Sequence, residues 1–245
     1  MNIETNEKLV KRNARNGQIS MIAGLAVLVG GMILSLRADA SMFGLSLIAL
    51  VLGFILSQVG IYFGNRWGRR PRPDEVLNAS LKGLDGKYSL YHYLTPASHL
   101  LVGPAGIWAI SLRNQRGVIT YEKGRWRQRG GGMMMAYLKM FAQEGLGRPD
   151  LEMMHEVESV EKYLKELTES DDIPPVKAAL VFANDKANIQ IEEEDNPPAP
   201  TLQIGKLKEH LRKTAKGKPI SFEKIQQIQS LIAGAAGLSP ETKEA

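Results

Sequence analysis

The stretch Ser98-His-Leu-Leu-Val-Gly-Pro-Ala-Gly-Ile-Trp-Ala-Ile-Ser-Leu-Arg-Asn-Gln-Arg-Gly117 holds two short apolar runs on either side of a turn. The runs cover residues 100–102 and 107–112, and the four residues between them have the composition of a tight turn. We therefore predict a β-hairpin. Successive side chains of a strand point to opposite faces, and both faces of the second run are mostly apolar. The hairpin should lie at the centre of a mixed sheet that is covered on both sides.

The same stretch resembles the nuclease-related domain (NERD) family, which is placed within the restriction-endonuclease-like fold of the PD-(D/E)xK superfamily. The family pattern is Asp-His, two hydrophobic residues, Val-Gly-Pro-x-Gly, a hydrophobic strand ending Glu-x-Lys-Asn, and a glycine. The positions that match at this spacing are His99, Val102, Gly103, Pro104, Gly106, Asn114 and Gly117. The catalytic positions differ, because Ser98, Ser111 and Arg113 stand where the family has aspartate, glutamate and lysine. The resemblance implies an αβββαβ core with a degenerate catalytic motif.

Composition limits the classes of chemistry that the chain can carry. It has 245 residues, 44% of them hydrophobic, a formal net charge of +5 and no cysteine. Such a length holds one ordinary domain and an additional element. The absence of cysteine excludes disulfides, thiol nucleophiles, and zinc or iron–sulfur centres bound by cysteine.

Two uncharged apolar runs near the N-terminus predict a transmembrane hairpin over residues 18–64. The first, residues 19–36, would be about 27 Å long as a helix, close to the ~30 Å hydrocarbon core, and the second, residues 42–64, is longer. Residues 1–17 are predicted to be a basic polar arm and residues 65–73 a basic linker. Two other interpretations are buried helices of a soluble core and a cleaved signal peptide, since Ala38-Asp-Ala40 resembles a cleavage site.

The placement of basic residues predicts the orientation of this hairpin. The arm and the stretch 66–72 carry four lysines or arginines each, whereas the loop between the two runs carries only Arg37. Both termini and the soluble domain are therefore expected on the cytoplasmic side, of what we take to be a bacterial plasma membrane. Gly30-Gly31 and the pair Gly60 and Gly64 suggest close helix packing, either within the hairpin or in a homodimer.

The soluble part is expected to be an α+β domain with a mixed sheet. A helix should start near Asp74, followed by strands at residues 88–93, in the central hairpin, and at residues 117–121 and around Trp126. Helices are predicted at 133–147 and 149–169, strands at 176–182 and 188–191, and two further helices from about 202 and over 222–232. The NERD-like domain is assigned residues 74–214, and residues 215–245 are assigned to a C-terminal helix and tail.

Basic residues are concentrated in residues 113–129, against Glu122 as the single acid. Arginines beside an aromatic ring can contact phosphates and stack on bases, so this stretch is the candidate nucleic-acid surface. The candidate residues are Arg113, Arg116, Lys123, Arg125, Trp126, Arg127 and Arg129. The alternatives are a hairpin whose arginines meet water or anionic lipid head groups, and a hairpin covered by the acidic helix at 149–169.

The degenerate motif predicts no resident cofactor. Enzymes of the superfamily hold a divalent cation, usually magnesium, between acidic side chains, whereas serine is a poor ligand for such an ion. Arg113 cannot carry a proton near neutral pH. A magnesium site is expected only if carboxylates have moved, and the candidates are Glu75, which matches a family metal position, and Glu122. Glu75 is equally well explained as an acid that complements the helix dipole.

Histidine does not supply an alternative centre in this sequence. His92 and His99 lack the spacing of a zinc site, and His99 is expected to pack or form hydrogen bonds beside the sheet. A serine nucleophile at Ser98 with His99 as its base is disfavoured, because adjacent residues of a strand point to opposite faces.

Three functional interpretations follow from these patterns. The first is a membrane-anchored, catalytically inactive NERD-like module that binds or scaffolds a partner, with nucleic acid as the candidate, on the cytoplasmic face. The second is a membrane-anchored, magnesium-dependent nuclease with relocated carboxylates. The third is a purely structural module.

Overall fold

The computed structural model describes residues 1–36, 40–130, 145–168, 172–192, 194–217 and 219–238. The chain divides into two compact units. The first, the helical hairpin, contains residues 7–73, and the second, the α/β domain, contains residues 1–6 and the described residues from 74 onward. The predicted helix at 133–147 and the predicted C-terminal tail fall largely outside the described residues.

The helical hairpin consists of α1 (Glu7–Ser35) and α2 (Ala40–Phe63), followed by a short π-helix (Gly64–Gly68). Both long helices have the length and composition needed to cross a membrane. Only 11% of the most apolar 18-residue window of each helix is buried. The apolar side chains therefore point outward, whereas a core helix of a soluble protein buries them.

The two helices pack closely along a seam of small residues. Gly17, Gly24 and Gly31 are the buried glycines of α1, spaced seven residues apart. A Cβ atom added at Gly24 would lie 2.6 Å from Ser57 Oγ, and one at Gly60 would lie 2.7 Å from the backbone nitrogen of Met21. Gly31 and Gly60 thus pack within the hairpin, whereas a Cβ atom added at Gly30 or Gly64 would meet no described atom within 4 Å.

The α/β domain contains two sheets. In chain order its strands are β1 (Asn2–Thr5), β2 (Ser89–His92), β3 (His99–Gly103), β4 (Gly106–Arg113), β5 (Gly117–Glu122), β6 (Arg125–Arg129), β7 (Val176–Phe182), β8 (Ala187–Gln190) and β9 (Thr201–Gln203). The main sheet has the order β1-β2-β3-β4-β7-β9, and the small sheet has the order β6-β5-β8. Strands β2, β3 and β4 are antiparallel, whereas β7 is parallel to both β4 and β9. The predicted mixed sheet is therefore confirmed.

Four helices cover the two faces of the main sheet. Helices α3 (Pro73–Leu81) and α5 (Ile204–Gly217) bury their leucines against Leu90, Leu101 and Ile110 on one face. Helices α4 (Pro149–Leu167) and α6 (Phe222–Ala235) cover the opposite face, which includes Leu100, Ile107 and Ala109. The alternating side chains of β4 thus enter two separate cores, as the sequence predicts.

A tight turn joins β5 and β6 in the small sheet. Lys123 and Gly124 both have positive φ angles, 51° and 73°. A type I′ turn requires a positive φ at both central residues, and its twist matches that of a two-stranded ribbon. The turn residues fix the pairing of Glu122 with Arg125 and therefore decide which face of the ribbon each arginine occupies.

Three parts of the α/β domain differ from the sequence-based expectations. Residues 1–17 are not a separate arm, because Asn2–Thr5 forms β1 and α1 begins at Glu7. The three-residue strand β9 was not predicted. The predicted domain end at residue 214 is wrong, because Ile225, Ile228 and Ile232 of α6 are buried in the core beneath β3 and β4.

Candidate functional site

The three degenerate motif positions lie on one face of the main sheet. Leu100 pairs with Ala109, and continuing this register beyond β3 places Ser98 opposite Ser111. Side chains alternate along each strand, so Ser98, Ser111 and Arg113 share the face that α4 and α6 cover. The structure thus brings together the three positions that the resemblance marked as catalytic.

Helix α4 supplies a carboxylate to Ser98. The backbone N–H of Ser98 donates to Glu156 Oε1 at 3.3 Å, and its hydroxyl donates to the same oxygen at 3.2 Å. Both donors of Ser98 therefore meet one acid, although that acid is 58 residues further along the chain. Sequence reasoning missed Glu156, because no local pattern shows which side of α4 faces Ser98.

A second acid of α4 holds Arg113. The guanidinium of Arg113 donates to Glu152 Oε2 in an ion pair whose arginine side chain is 14% exposed and whose glutamate is 56% exposed. Glu152 and Glu156 are four residues apart and therefore lie on the same side of the helix. The acidic helix, one of the alternatives left open for the basic stretch, therefore contacts that stretch at Arg113.

The start of α4 is fixed by an ion pair of its own. The side chain of Arg148 donates to both carboxylate oxygens of Asp150, with the shortest distance 2.7 Å. This hydrogen bonding to Arg148 lowers the pKa of the Asp150 carboxyl. Asp150 lies in the first helical turn, where the helix dipole also favours a negative charge. The pair joins the residue before the helix to the first turn of the helix that carries Glu152 and Glu156.

The two acids proposed as relocated metal ligands are separated by the fold. Glu75 lies on α3, which packs against the face opposite to Ser98 and Ser111. Glu122 lies at the end of β5, where Arg129 contacts it at 3.0 Å and Arg127 at 3.8 Å. In the described part of the chain, no group of three or more histidine or acidic side chains could hold a metal ion.

A buried histidine pair lies on the face opposite to the motif positions. His92 Nδ1 and His99 Nδ1 are 2.8 Å apart, and His92 Nε2 is 2.8 Å from Asn78 Oδ1 of α3. If the amide oxygen accepts, His92 carries its proton on Nε2, and His99 must then donate to His92 Nδ1. His99 is thus hydrogen-bonded within the core and points away from Ser98, as the sequence predicts.

The basic residues of β6 alternate between the solvent and the core. Arg125, Arg127 and Arg129 are exposed on one face of the small sheet, and we call these three residues the arginine row. Within the described residues Arg125 has no ion-pair partner, and the side chains of Arg127 and Arg129 remain 53% and 60% exposed beside Glu122. Their strand neighbours on this face include the polar residues Thr120, Asn188 and Gln190, and the apolar Val118 lies opposite Arg129.

The aromatic member of the candidate surface is not available to a ligand. Trp126 is only 6% exposed and packs with Ile119, Met153 and Phe182 in the core between the small sheet and α4. The predicted stacking of Trp126 on bases is therefore wrong. Arg116 is half-buried and Lys123 occupies the exposed turn, so neither extends the arginine row along β6.

No family model, curated protein or solved structure matches the chain. The proposals for its function therefore rest on the geometry of its own residues and on the resemblance in its sequence.

Proposed function

We propose that the chain is a membrane-anchored, NERD-like binding module without nuclease activity, and that the arginine row binds the phosphate backbone of nucleic acid. The observation that carries this proposal is the difference between the surroundings of Arg113 and those of the arginine row. Arg113 is only 14% exposed in its ion pair with α4, whereas Arg127 and Arg129 stay more than half exposed beside Glu122. Within the described residues Arg125 has no ion-pair partner.

The order of the elements supports the NERD-like part of the proposal. Helix α3 is followed by the antiparallel strands β2, β3 and β4, then by α4, and then by β7, which pairs in parallel with β4. This is the αβββαβ order that the resemblance implies. The two strands β5 and β6 are inserted between β4 and α4 and provide the arginine row.

The chemistry of the motif positions supports the absence of hydrolysis. Two hydroxyls and an arginine replace the acids and the lysine of the family, and the acids that approach them are used as hydrogen-bond acceptors for Ser98 and Arg113. A divalent cation at this place would have to displace those bonds. It would also have to accept hydroxyl ligands, which bind hard dications weakly.

The geometry of β6 supports binding to a phosphate backbone. Alternate residues of a strand are about 6.5–7 Å apart, which is similar to the spacing of successive phosphates in an extended single strand. Arginine binds phosphate with a planar fork of donors. Because Trp126 is buried, the surface offers charge without base stacking, and we expect little preference for sequence.

The membrane part of the proposal rests on α1 and α2. We infer that the two helices insert as a pair, with the α/β domain on the cytoplasmic side of a bacterial plasma membrane. The outward-facing apolar side chains of both helices and the basic residues that flank the pair support this placement.

A binding experiment tests the nucleic-acid part directly. The full chain in nanodiscs of uncharged lipid is titrated against fluorescein-labelled oligothymidylate, and fluorescence anisotropy is followed between about 50 mM and about 200 mM salt. Three phosphate contacts predict a slope of log K against log salt of about −2. The double variant Arg125→Glu plus Arg127→Glu should lose at least about tenfold in affinity.

The matched control carries the same change of charge on another exposed surface. Lys162 and Lys165 of α4 are exposed, and Lys162→Glu plus Lys165→Glu should leave the affinity within about twofold. Equal losses in the two double variants would reject a specific role of the arginine row.

A second candidate function is favoured by the acids of α4. Glu152 and Glu156 bring two carboxylates to the motif positions, and a nuclease with relocated ligands would need such acids. Incubation of the full chain with manganese and labelled DNA or RNA separates the two functions. Cleavage that requires the metal and disappears in Glu152→Gln and Glu156→Gln would establish the nuclease and overturn the first proposal.

A further inference from the structure

The outer edge of β7 is only partly paired. On its inner edge β7 pairs with β4 along its whole length, from Val176 to Phe182. On its outer edge β9 pairs only with residues 180–182. Among the described residues, no strand pairs with the first half of this edge.

The direction of the backbone groups on this edge follows from one hydrogen bond. The N–H of Leu180 donates to the carbonyl of Pro200 at 2.9 Å, on the outer side. The N–H groups of alternate residues in a strand point to the same edge, so those of Val176 and Ala178 also point outward. The N–H of Val176 is satisfied by Glu161 Oε1 at 3.3 Å. Within the described part of the chain, Ala178 has no partner on this side.

Proline explains why β9 stops where it does. To extend the pairing by two residues, the residue at 200 would have to donate its N–H to the carbonyl of Ala178. Pro200 has no N–H, and Pro198 lacks one as well. The chain before β9 therefore cannot complete the edge, and the backbone of Ala178 is left open.

A groove runs along this open edge. It has a volume of about 480 Å³ and is closed at one end by residues 198–200. The α4 wall of the groove has an apolar part, Met153, Met154 and Val157, and also contains the acids Asp150 and Glu158. The opposite wall consists of Trp108 and Lys177, whose Nζ lies 5.3 Å from the centre of the Trp108 ring.

We propose that an extended peptide segment of another protein binds this groove by adding a strand to the outer edge of β7. The open N–H and carbonyl of Ala178 provide main-chain hydrogen bonds, which is the chemistry that strand addition uses. The alternate side chains of the peptide that face α4 are apolar where they meet Met153, Met154 and Val157, which form the apolar part of that wall. A small apolar molecule would leave the backbone groups of Ala178 without partners. This surface is separate from the arginine row and does not depend on it.

Amide hydrogen exchange tests whether the Ala178 N–H is free of a hydrogen bond in the unbound protein and whether a bound peptide protects it. The full chain is placed in nanodiscs of uncharged lipid, and amide exchange is followed by NMR. The amide of Ala178 should exchange at least about tenfold faster than that of Leu180, which is bonded to Pro200. The probe is a panel of capped strand peptides in which threonine alternates with valine, isoleucine, leucine or phenylalanine. Binding of a panel member should slow the exchange of Ala178 at least about tenfold.

Two controls separate strand addition from simple apolar contact. N-methylation of the alternate peptide nitrogens that face β7 should weaken binding about tenfold, because it removes main-chain donors. Met154→Lys should weaken binding by a similar factor, whereas Leu151→Lys should not, because Leu151 has the same 52% exposure on α4 but does not line the groove. Arg125→Glu plus Arg127→Glu should bind the peptides unchanged.

The proposal is overturned by any of three results. One is that no peptide of the panel protects the amide of Ala178. Another is that the N-methylated peptides bind as well as the parent peptides. The third is that Ala178 is already protected in the free protein by a concentration-dependent dimer, measured by analytical ultracentrifugation, since a second copy would then be the occupant.

Discussion

Glu156 accepts both hydrogen bonds that Ser98 can donate, from the backbone N–H at 3.3 Å and from the hydroxyl at 3.2 Å. An aspartate at position 98, the residue that the NERD pattern has there, would face Glu156 as a second carboxylate. The serine and the glutamate are therefore complementary, and a change at either position alone should be unfavourable.

Ser98→Asp should destabilise the α/β domain by about 1–3 kcal/mol at neutral pH, because it replaces a donor by a like charge. Ser98→Ala is the matched control, and it should cost about 1 kcal/mol, since the backbone N–H still donates to Glu156. Chemical unfolding of the full chain in detergent, followed by tryptophan fluorescence, measures both variants. Equal stability of the two variants would show that Glu156 does not respond to charge at position 98.

Glu122→Gln should strengthen nucleic-acid binding. The carboxylate of Glu122 lies 3.0 Å from Arg129 and 3.8 Å from Arg127, so it competes with phosphate for both arginines. Exposed pairs of this kind contribute about 0.2–1 kcal/mol each, which corresponds to an increase in affinity of up to about fivefold for each pair that is lost. Anisotropy with labelled oligothymidylate measures the change, and Glu166→Gln on α4 is the control. Weaker binding by Glu122→Gln would mean that this acid positions the arginines.

Tyr91→Phe should reduce the loss of stability in alkali. Burial raises the pKa of the Tyr91 phenol to about 12. Below pH 10 the phenol is protonated in both the folded and the unfolded chain, so its contribution to the free energy of unfolding does not change with pH. Between about pH 10 and 12 the unfolded chain loses its proton first, and on the order of 2 kcal/mol is lost.

Unfolding of the wild-type chain and of Tyr91→Phe at pH 9 to about 11.5 measures this difference. Burial also raises the pKa of Tyr88 and Tyr163, so some dependence on pH should remain in the variant. Tyr121→Phe, in the small sheet, is the control. Identical pH profiles of wild type and Tyr91→Phe would contradict the assignment.

Gly24→Ala should destabilise the helical hairpin, whereas Gly30→Ala should not. A Cβ atom at Gly24 would lie 2.7 Å from the backbone nitrogen of Ser57, so the helices would have to move apart. Overpacking of this kind costs about 1–3 kcal/mol. At Gly30 no described atom lies within 4 Å, and alanine there should be neutral or stabilising by up to about 1 kcal/mol. Unfolding in mixed detergent, followed by circular dichroism, compares the two variants.

The local sequence pattern was sufficient to predict those strands whose pairing partners are close to them in the sequence. The alternation in β3 and β4 and the turn between them predict both strands and the two cores that their side chains enter. The N-terminal strand was missed because it is four residues long and mostly polar, and because its partner β2 begins 87 residues later. Such pairing depends on tertiary contacts that no short window of sequence contains.

In the candidate site too, features set by local pattern were predicted, whereas features set by tertiary contacts were not. Strand periodicity alone puts Ser111 and Arg113 on one face of β4, whereas the position of Ser98 on that face follows from the register of β3 and β4 in the structure. The sequence could not show that Glu152 and Glu156 approach them, since that depends on how α4 lies on the sheet. It was wrong about Trp126, because the small sheet turns this ring toward Phe182 and Met153 in the domain core.

The pairing of β1 with β2 has a topological consequence. Residues 2–5 belong to the same sheet as residues 89–92, and α1 and α2 lie between them in the sequence. The two long helices are thus an insertion in the domain and not an attachment at its end. If the hairpin crosses a bilayer, as we propose, the chain must cross an even number of times before β1 and β2 can pair. One proteolytic nick in either connection would therefore leave the domain tethered through the other.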